Sequence, residues 1–331
     1  MPKEWTREEI LELIRTYQPA CVLAAAADLD VFGTLAFRPL SAEAVARSSN
    51  CDGRATTVLL DALAALKLLN KQGGLYSVPA SVLPILTEQG AGNVLAMVQH
   101  QSNCLRRWAQ LAWVVKNGRP VERTPSVRGE EGDTASFIGA MQNLSAPMAD
   151  KLIREIHPLT FRNLLDIGGA SGTWTIAFLR ACPRAMATVF DLPQVIPMAK
   201  RRLTEAGLID RVSIVAGDFL EDSLPGGFDF VWVSAIIHQN SREQNRTLFG
   251  KAFQSLGAGG RIAIRDVLMD STRTSPVAGA LFAVNMLVGT KGGGTFTFEE
   301  LKEDLETAGF RGVAIVRRDE AMNSILTAKK D

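Results

Sequence analysis

The chain has little histidine, three residues in 331, and little cysteine, four in all. Cys21, Cys51, Cys104 and Cys182 are widely scattered, with no CxxC pair and no Cys/His spacing suited to zinc. They read as buried thiols of a reducing cytosol, so neither a disulfide framework nor a metal site is expected. Charge of one sign is also missing. With 36 Lys and Arg against 35 Asp and Glu, the net charge of +1 gives no field that would draw in nucleic acid or an anionic membrane. The apolar run Pro19–Val31 is interrupted by Asp28 and Asp30, and no stretch approaches the roughly 18–20 apolar residues of a membrane span. The opening residues Met1–Glu9 are charged and lack an apolar core or cleavage site, so no signal peptide is expected and a cytoplasmic location is. Internal repeats and low-complexity tracts are absent.

What is present is an ordinary globular balance, 47% hydrophobic and 21% charged, at a length that favours two cores. Residues 1–117 read as mainly helical. Thr6-Arg-Glu-Glu9 is a capping box ahead of an apolar face of Ile10, Leu11, Leu13 and Ile14. Ser41 caps a short helix to about Ser48, and Ala55–Leu69 places Leu59, Leu63, Leu66 and Leu69 at helical spacing. A Gly73-Gly74 turn into a short strand completes the outline of a winged helix. Such a module binds DNA or simply packs. Four basic residues against three acidic ones across Ser41–Ala80 leave too little charge for phosphates, so a nucleic-acid partner is not expected.

Residues 118–135 read as a polar surface connection, and Ser136–Ile156 as one helix. From Phe161 the rhythm changes. Short apolar runs at Asn163–Ile167, Ala187–Phe190, Val212–Ala216, Phe228–Ser234 and Arg261–Val267 alternate with helical stretches. That alternation argues a parallel sheet covered on both faces, an α/β domain over residues 136–331.

The strongest local feature is Leu164-Leu-Asp166-Ile-Gly168-Gly169-Ala-Ser-Gly172, a buried strand ending in a glycine turn that opens a helix. Its spacing is neither the dinucleotide GxGxxG nor a P-loop, so it lacks the features that grip a pyrophosphate. The next strand ends at Asp191, about 20–25 residues on, where a carboxylate suits a ribose diol. The third ends at Asp218-Phe219, an acid for an adenine amino group beside a ring that flanks the base. Together the three strand ends point to an adenosyl ligand.

With these motifs the sequence resembles the S-adenosylmethionine-dependent small-molecule O-methyltransferases of the caffeic acid and acetylserotonin type, including bacterial natural-product enzymes. LDIGGASG, VFDLPQVI and VAGDF are similar to that family's three cofactor motifs. ALAALKLL with its Gly-Gly hairpin is similar to its winged-helix-like dimerisation domain. The resemblance implies a Rossmann-like class I methyltransferase domain with a mostly parallel seven-stranded sheet, a homodimer through the N-terminal half, and S-adenosyl-L-methionine as cofactor without a metal. It also implies Asp166, Gly168 and Gly169 in the first cofactor motif, Asp191 on the ribose, and Leu192, Asp218 and Phe219 around the adenine. A backbone carbonyl at Ser234 and the Ser145 side are implied to face the cofactor. Phe137, Met141, Met286, Thr290 and Thr295 are implied on the acceptor side.

A sulfonium methyl is already electrophilic, so the protein must align an acceptor and supply a base. His100 and His157 have no motif around them. His238 follows the strand FDFVWVSAII at the carboxyl end of the sheet, and histidine as a residue type titrates near neutrality. The resemblance implies His238 as general base and Asp266 as the acid that orients it. Two departures stand out: His238-Gln239-Asn240 replaces the family's His-Asp-Trp, and Thr295 stands where a second carboxylate is usual. They leave room for C-, N- or S-methylation, or for a non-methylating use of the cofactor. The expected reaction is O-methylation of a small phenolic or polyketide-like acceptor, with a DNA-binding regulator as the remaining alternative class.

Overall fold

A computed structural model describes residues 3–88, 90, 92–156 and 159–331, which leaves His157 outside the described residues. The chain divides into two compact units. One comprises the residues up to Ala109 together with Arg123–Asn143, and the other Gln110–Glu122 with Leu144–Asp331. The boundaries expected at 117 and 135 therefore do not coincide with the division by contacts, because the polar segment after Arg123 folds back into the first unit.

The cause is a buried carboxylate within that polar segment. Asp133 is buried; it accepts from the Ser126 hydroxyl at 2.5 Å, the Ser126 N–H at 3.0 Å and Arg123 at 3.2 Å. Arg128 joins it at 3.3 Å and reaches Asp28 at 2.9 Å. Burial alone would raise the Asp133 pKa, but the Ser126 and Arg123 bonds outweigh it and bring it down to about 2. The stretch read as a surface connection is in part an ion-paired core.

The rest of the first unit follows the sequence closely. Thr6 and Glu9 form the expected capping box on the helix Arg7–Arg15. Ser41 caps Ala42–Ser48, and the next helix runs Gly53–Ala65, shorter at its C-terminus than its leucine spacing suggested. Strands Asn70–Gln72 and Leu75–Ser77 pair across the Gly-Gly turn, and Leu40–Ser41 adds to the hairpin. Phe32, Leu60, Leu63 and Tyr76 fill the core.

The expected helix Ser136–Ile156 is two helices, Gly129–Ser145 and Ala149–Glu155. Pro147 lies in the break; it has no N–H to donate and disfavours helical backbone at Ala146.

The second unit is built on a seven-stranded sheet: β1 (Asn163–Ile167), β2 (Met186–Asp191), β3 (Val212–Ala216), β4 (Phe228–Ser234), β5 (Leu256–Asp266), β6 (Arg311–Arg317) and β7 (Ser324–Lys329). Their order across the sheet is β6-β7-β5-β4-β1-β2-β3. Strands β1 to β5 pair in parallel, while β7 runs antiparallel to both β5 and β6. The two faces carry separate cores. Leu165, Val231, Val233, Ile262 and Ile264 point to one, and Leu164, Phe230, Trp232 and Ala263 to the other. Strands apolar on both faces are what a sheet covered on both sides requires. The order reverses between β4 and β1, which places a crevice at the carboxyl ends of those strands.

All four cysteines are free. Among the described residues no helix is long and apolar enough to cross a membrane, and no cluster of His, Cys, Asp and Glu is suited to a metal.

Candidate active site

Strand β1 ends in the glycine turn and opens the helix Thr173–Ala181. Gly168 has a φ of +66°, and a Cβ there would fall 2.4 Å from Ile236. A Cβ on Gly169 would meet the Asp166 carboxyl group at 3.0 Å. The positive φ favours glycine at position 168, and a side chain at 169 would have to displace those of Val189 and Asp166. Asp166 is buried beneath it, accepting from the Thr175 hydroxyl at 2.6 Å. Burial pushes its pKa up to about 7, and nearby Asp191 adds to the effect.

Asp191, at the end of β2, ties the loop to its neighbour strand. One carboxylate oxygen accepts from the Ala170 N–H and the other from the Leu192 N–H, both at 2.7 Å. Ala170 itself has a φ of +47°, a conformation that an alanine adopts at a cost. Burial raises the Asp191 pKa, and the two N–H donors oppose the rise.

After β3, Asp218 accepts from the Leu220 N–H at 2.8 Å, and Phe219 packs against the main core. Lys251 clasps this turn. Its Nζ donates to the carbonyls of Phe219, Leu220 and Asp222 at 3.0, 2.7 and 2.8 Å. No motif announced Lys251, because the carbonyls it satisfies belong to a different element.

Strand β4 ends at Ser234 and leads through Ala235, φ +57°, to His238 in a short 3-10 turn. His238 is 7% exposed. Its Nδ1 lies 2.9 and 3.0 Å from the two oxygens of Asp266, the last residue of β5, and one of those oxygens also accepts from the Val267 N–H at 2.8 Å. The backbone around the ring is fixed from two sides. Gly294 donates to the His238 carbonyl at 2.9 Å, and a Cβ on Gly293 would fall 2.4 Å from that carbonyl. Asn240, one of the departures in sequence, bonds Asn245 at 3.0 Å, and Asn245 donates to the Ile237 carbonyl at 3.0 Å. The change of sequence after His238 thus supplies a local brace.

Thr295 is buried, and its carbonyl accepts from Arg273 at 2.9 Å. Among the described residues it makes no hydrogen bond to His238, whose only acid partner is Asp266. The ring of Phe282, on the helix Val277–Gly289, meets the imidazole edge-on with centroids 4.8 Å apart. Met286 and Thr290 lie further along that segment, and Thr290 accepts from the Gly293 N–H at 2.9 Å. Phe137 and Met141 sit on the helix Gly129–Ser145 in the first unit, where Phe137 meets His100 at 5.3 Å between centroids. Burial lowers the His100 pKa. Ser145, at the end of that helix, belongs to the second unit.

Comparison with known proteins gives these features a context. Residues 108–311 match the family model of an O-methyltransferase domain, and residues 11–80 that of an O-methyltransferase dimerisation domain. A 3-hydroxy-5-methyl-1-naphthoate 3-O-methyltransferase of Streptomyces sahachiroi is 32% identical, over 89% of this chain and 87% of its own. The N,N-dimethyltransferase OxyT of Streptomyces rimosus is 28% identical, over 96% and 93%. A solved structure described as PigF with SAH superposes with a TM-score of 0.86 at 26% identity, covering 98% of this chain and 100% of its own.

Proposed function

Because this chain belongs to the O-methyltransferase family, we propose that it transfers a methyl group from S-adenosyl-L-methionine to a hydroxyl of a small phenolic or polyketide-like acceptor, with His238 as general base. The observation that carries the reading is the pairing of His238 Nδ1 with both oxygens of Asp266, at the carboxyl end of the sheet, one strand away from the glycine turn. Nδ1 is held as the protonated nitrogen, so Nε2 is left as the acceptor of a proton.

The residues fit the cofactor. Each Asp191 oxygen accepts one backbone N–H and keeps a lone pair for a ribose hydroxyl. Gly168 lets backbone approach the methionine part, Asp166 and Gly169 support that turn, and Leu192, Asp218 and Phe219 line the adenine. The Ser234 carbonyl and Ser145 serve the amino-acid end. The bound cofactor would supply a methyl group activated by a sulfonium. His238 Nε2 would take the proton from the acceptor's hydroxyl, the group that receives that methyl. Asp266 stabilises the imidazolium so formed. Met286, Thr290 and Thr295, all in the second unit, are assigned to the acceptor.

A homodimer is part of the same reading. The helix Arg7–Arg15 buries none of its residues, and Leu13 and Ile14 are 54% and 67% exposed, an apolar face for a second copy to cover.

The test is turnover with a panel of hydroxylated acceptors, read by the mass gained and the site methylated. His238→Ala should lose turnover by on the order of 10²–10⁴ while binding S-adenosylhomocysteine as the wild type does; unchanged turnover rejects the base. N-methylation is a second reading, favoured by the likeness to OxyT. An amine panel that reacts where the hydroxyl panel does not would establish it instead.

A further inference from the structure

Strand β5 reads Arg-Ile-Ala-Ile-Arg-Asp at its carboxyl end, and Arg265 is a charge inside an otherwise apolar run. The structure buries it to 3% exposure. Among the described residues, no carboxylate lies within ion-pair distance of its guanidinium. Arg128, Arg242, Arg246, Arg273 and Arg317 by contrast all pair with Asp or Glu. Arg265 has neutral partners only. Nε and Nη2 donate to the Asn323 Oδ1 at 3.0 and 2.7 Å, Nη1 to the Ser234 hydroxyl at 3.0 Å, and Nη2 also meets the Met148 sulfur at 3.7 Å. The group lies over the Trp174 ring, 4.7 Å from its centroid.

A buried cation held by neutral groups is costly, and an anion bound beside it would offset that cost. Burial accordingly pushes the Arg265 pKa down to about 10, opposed by the more distant charges of Asp266 and Asp319. Those two acids are committed elsewhere, Asp266 to His238 and Asp319 to Arg317. The second Nη1 hydrogen of Arg265 is left without a partner among the described residues.

The neighbours of this guanidinium say which anion it meets. Ser234 ends β4, Trp174 stands in the first turn of the helix after Gly172, and Met148 follows Ser145 by three residues. In the function proposed above, on which this inference rests, these segments surround the amino-acid end of the cofactor. We propose that Arg265 is the counter-charge for the α-carboxylate of the bound S-adenosyl ligand, held in place beforehand by Asn323 and Ser234.

The experiment is a calorimetric cycle with S-adenosylhomocysteine and its decarboxylated analogue, which keeps the adenosyl, thioether and amine groups. The wild type should bind the decarboxylated ligand about tenfold or more weakly, as expected for a lost hydrogen bond to a charged group. In Arg265→Met the two ligands should bind alike, and Arg265→Lys should restore part of the preference. Equal losses for both ligands in Arg265→Met would mark a purely structural role and overturn the proposal. Should Arg265→Met not fold, the wild-type pair still decides: equal affinities there overturn it. A wild type that binds neither ligand rejects the cofactor assignment itself, a different outcome from a wild type that binds both equally.

Discussion

His238 and Asp266 come from the ends of adjacent parallel strands, and the Nδ1 of one sits almost equidistant from both oxygens of the other, at 2.9 and 3.0 Å. The pair is buried and carries a third contact, from the Val267 N–H to the same carboxylate. A carboxylate fixed in this way selects one tautomer of the ring and one orientation.

Asp266→Asn keeps the shape but offers an amide that can present its N–H to Nδ1 and turn the proton onto Nε2. Turnover should then fall on the order of 10²–10⁴ with the affinity for S-adenosylhomocysteine unchanged. Steady-state kinetics together with calorimetry check both parts. A fall in cofactor affinity alone would place Asp266 in binding and not in proton transfer.

The glycine turn carries a pH dependence of stability. Asp166 has a folded-state pKa raised from 3.8 to about 7, so the folded protein holds a proton that the unfolded chain has lost between those values. Its contribution is complete below about pH 4 and is lost as pH rises through 7. The wild type should therefore lose stability over pH 4–7, on the order of a few kcal/mol, relative to Asp166→Asn, which mimics the protonated acid. Thermal melts of both proteins across that range measure the difference. Parallel curves would show that Asp166 titrates in the folded protein as it does in the unfolded chain.

Asp133 has the opposite sign. Its pKa is held at about 2, so its contribution is present above about pH 4 and is lost as pH falls toward 2. Asp133→Asn leaves the half-exposed Arg123 without its carboxylate and Arg128 with Asp28 alone, and should cost roughly 1–3 kcal/mol at neutral pH. A melting temperature within a degree of wild type would contradict the ion-paired core.

Much of this was legible in sequence, for identifiable reasons. The strands β1, β3 and β4 were readable to the residue as short apolar-rich runs between helical stretches, and in β1 and β4 burial on both faces accounts for that composition. The capping box at Thr6 has the expected geometry, because a cap is a local interaction over three residues. The family models cover the N-terminal hairpin and the α/β domain as far as residue 311. What sequence could not convey was long-range satisfaction of polar groups. Asp133 sits in a stretch rich in charge, where nothing local separates a buried acid from solvated ones. Lys251 acts on carbonyls more than twenty residues away. Arg265 did leave a trace, a charge at the end of an apolar strand, but its neutral partners come from β4, the Ala149–Glu155 region and the turn before β7. Pro147 is a local signal, and it accounts for the divided helix.

Calorimetric titration of the purified protein with S-adenosylhomocysteine, beside Asp191→Ala, tests the proposed cofactor site directly. The wild type should show one site per chain, and the variant an affinity lower by about a hundredfold, because it loses the proposed ribose acceptor and leaves the Ala170 and Leu192 N–H groups unpaired. Absence of binding by the folded wild type, or equal binding by both proteins, would contradict it.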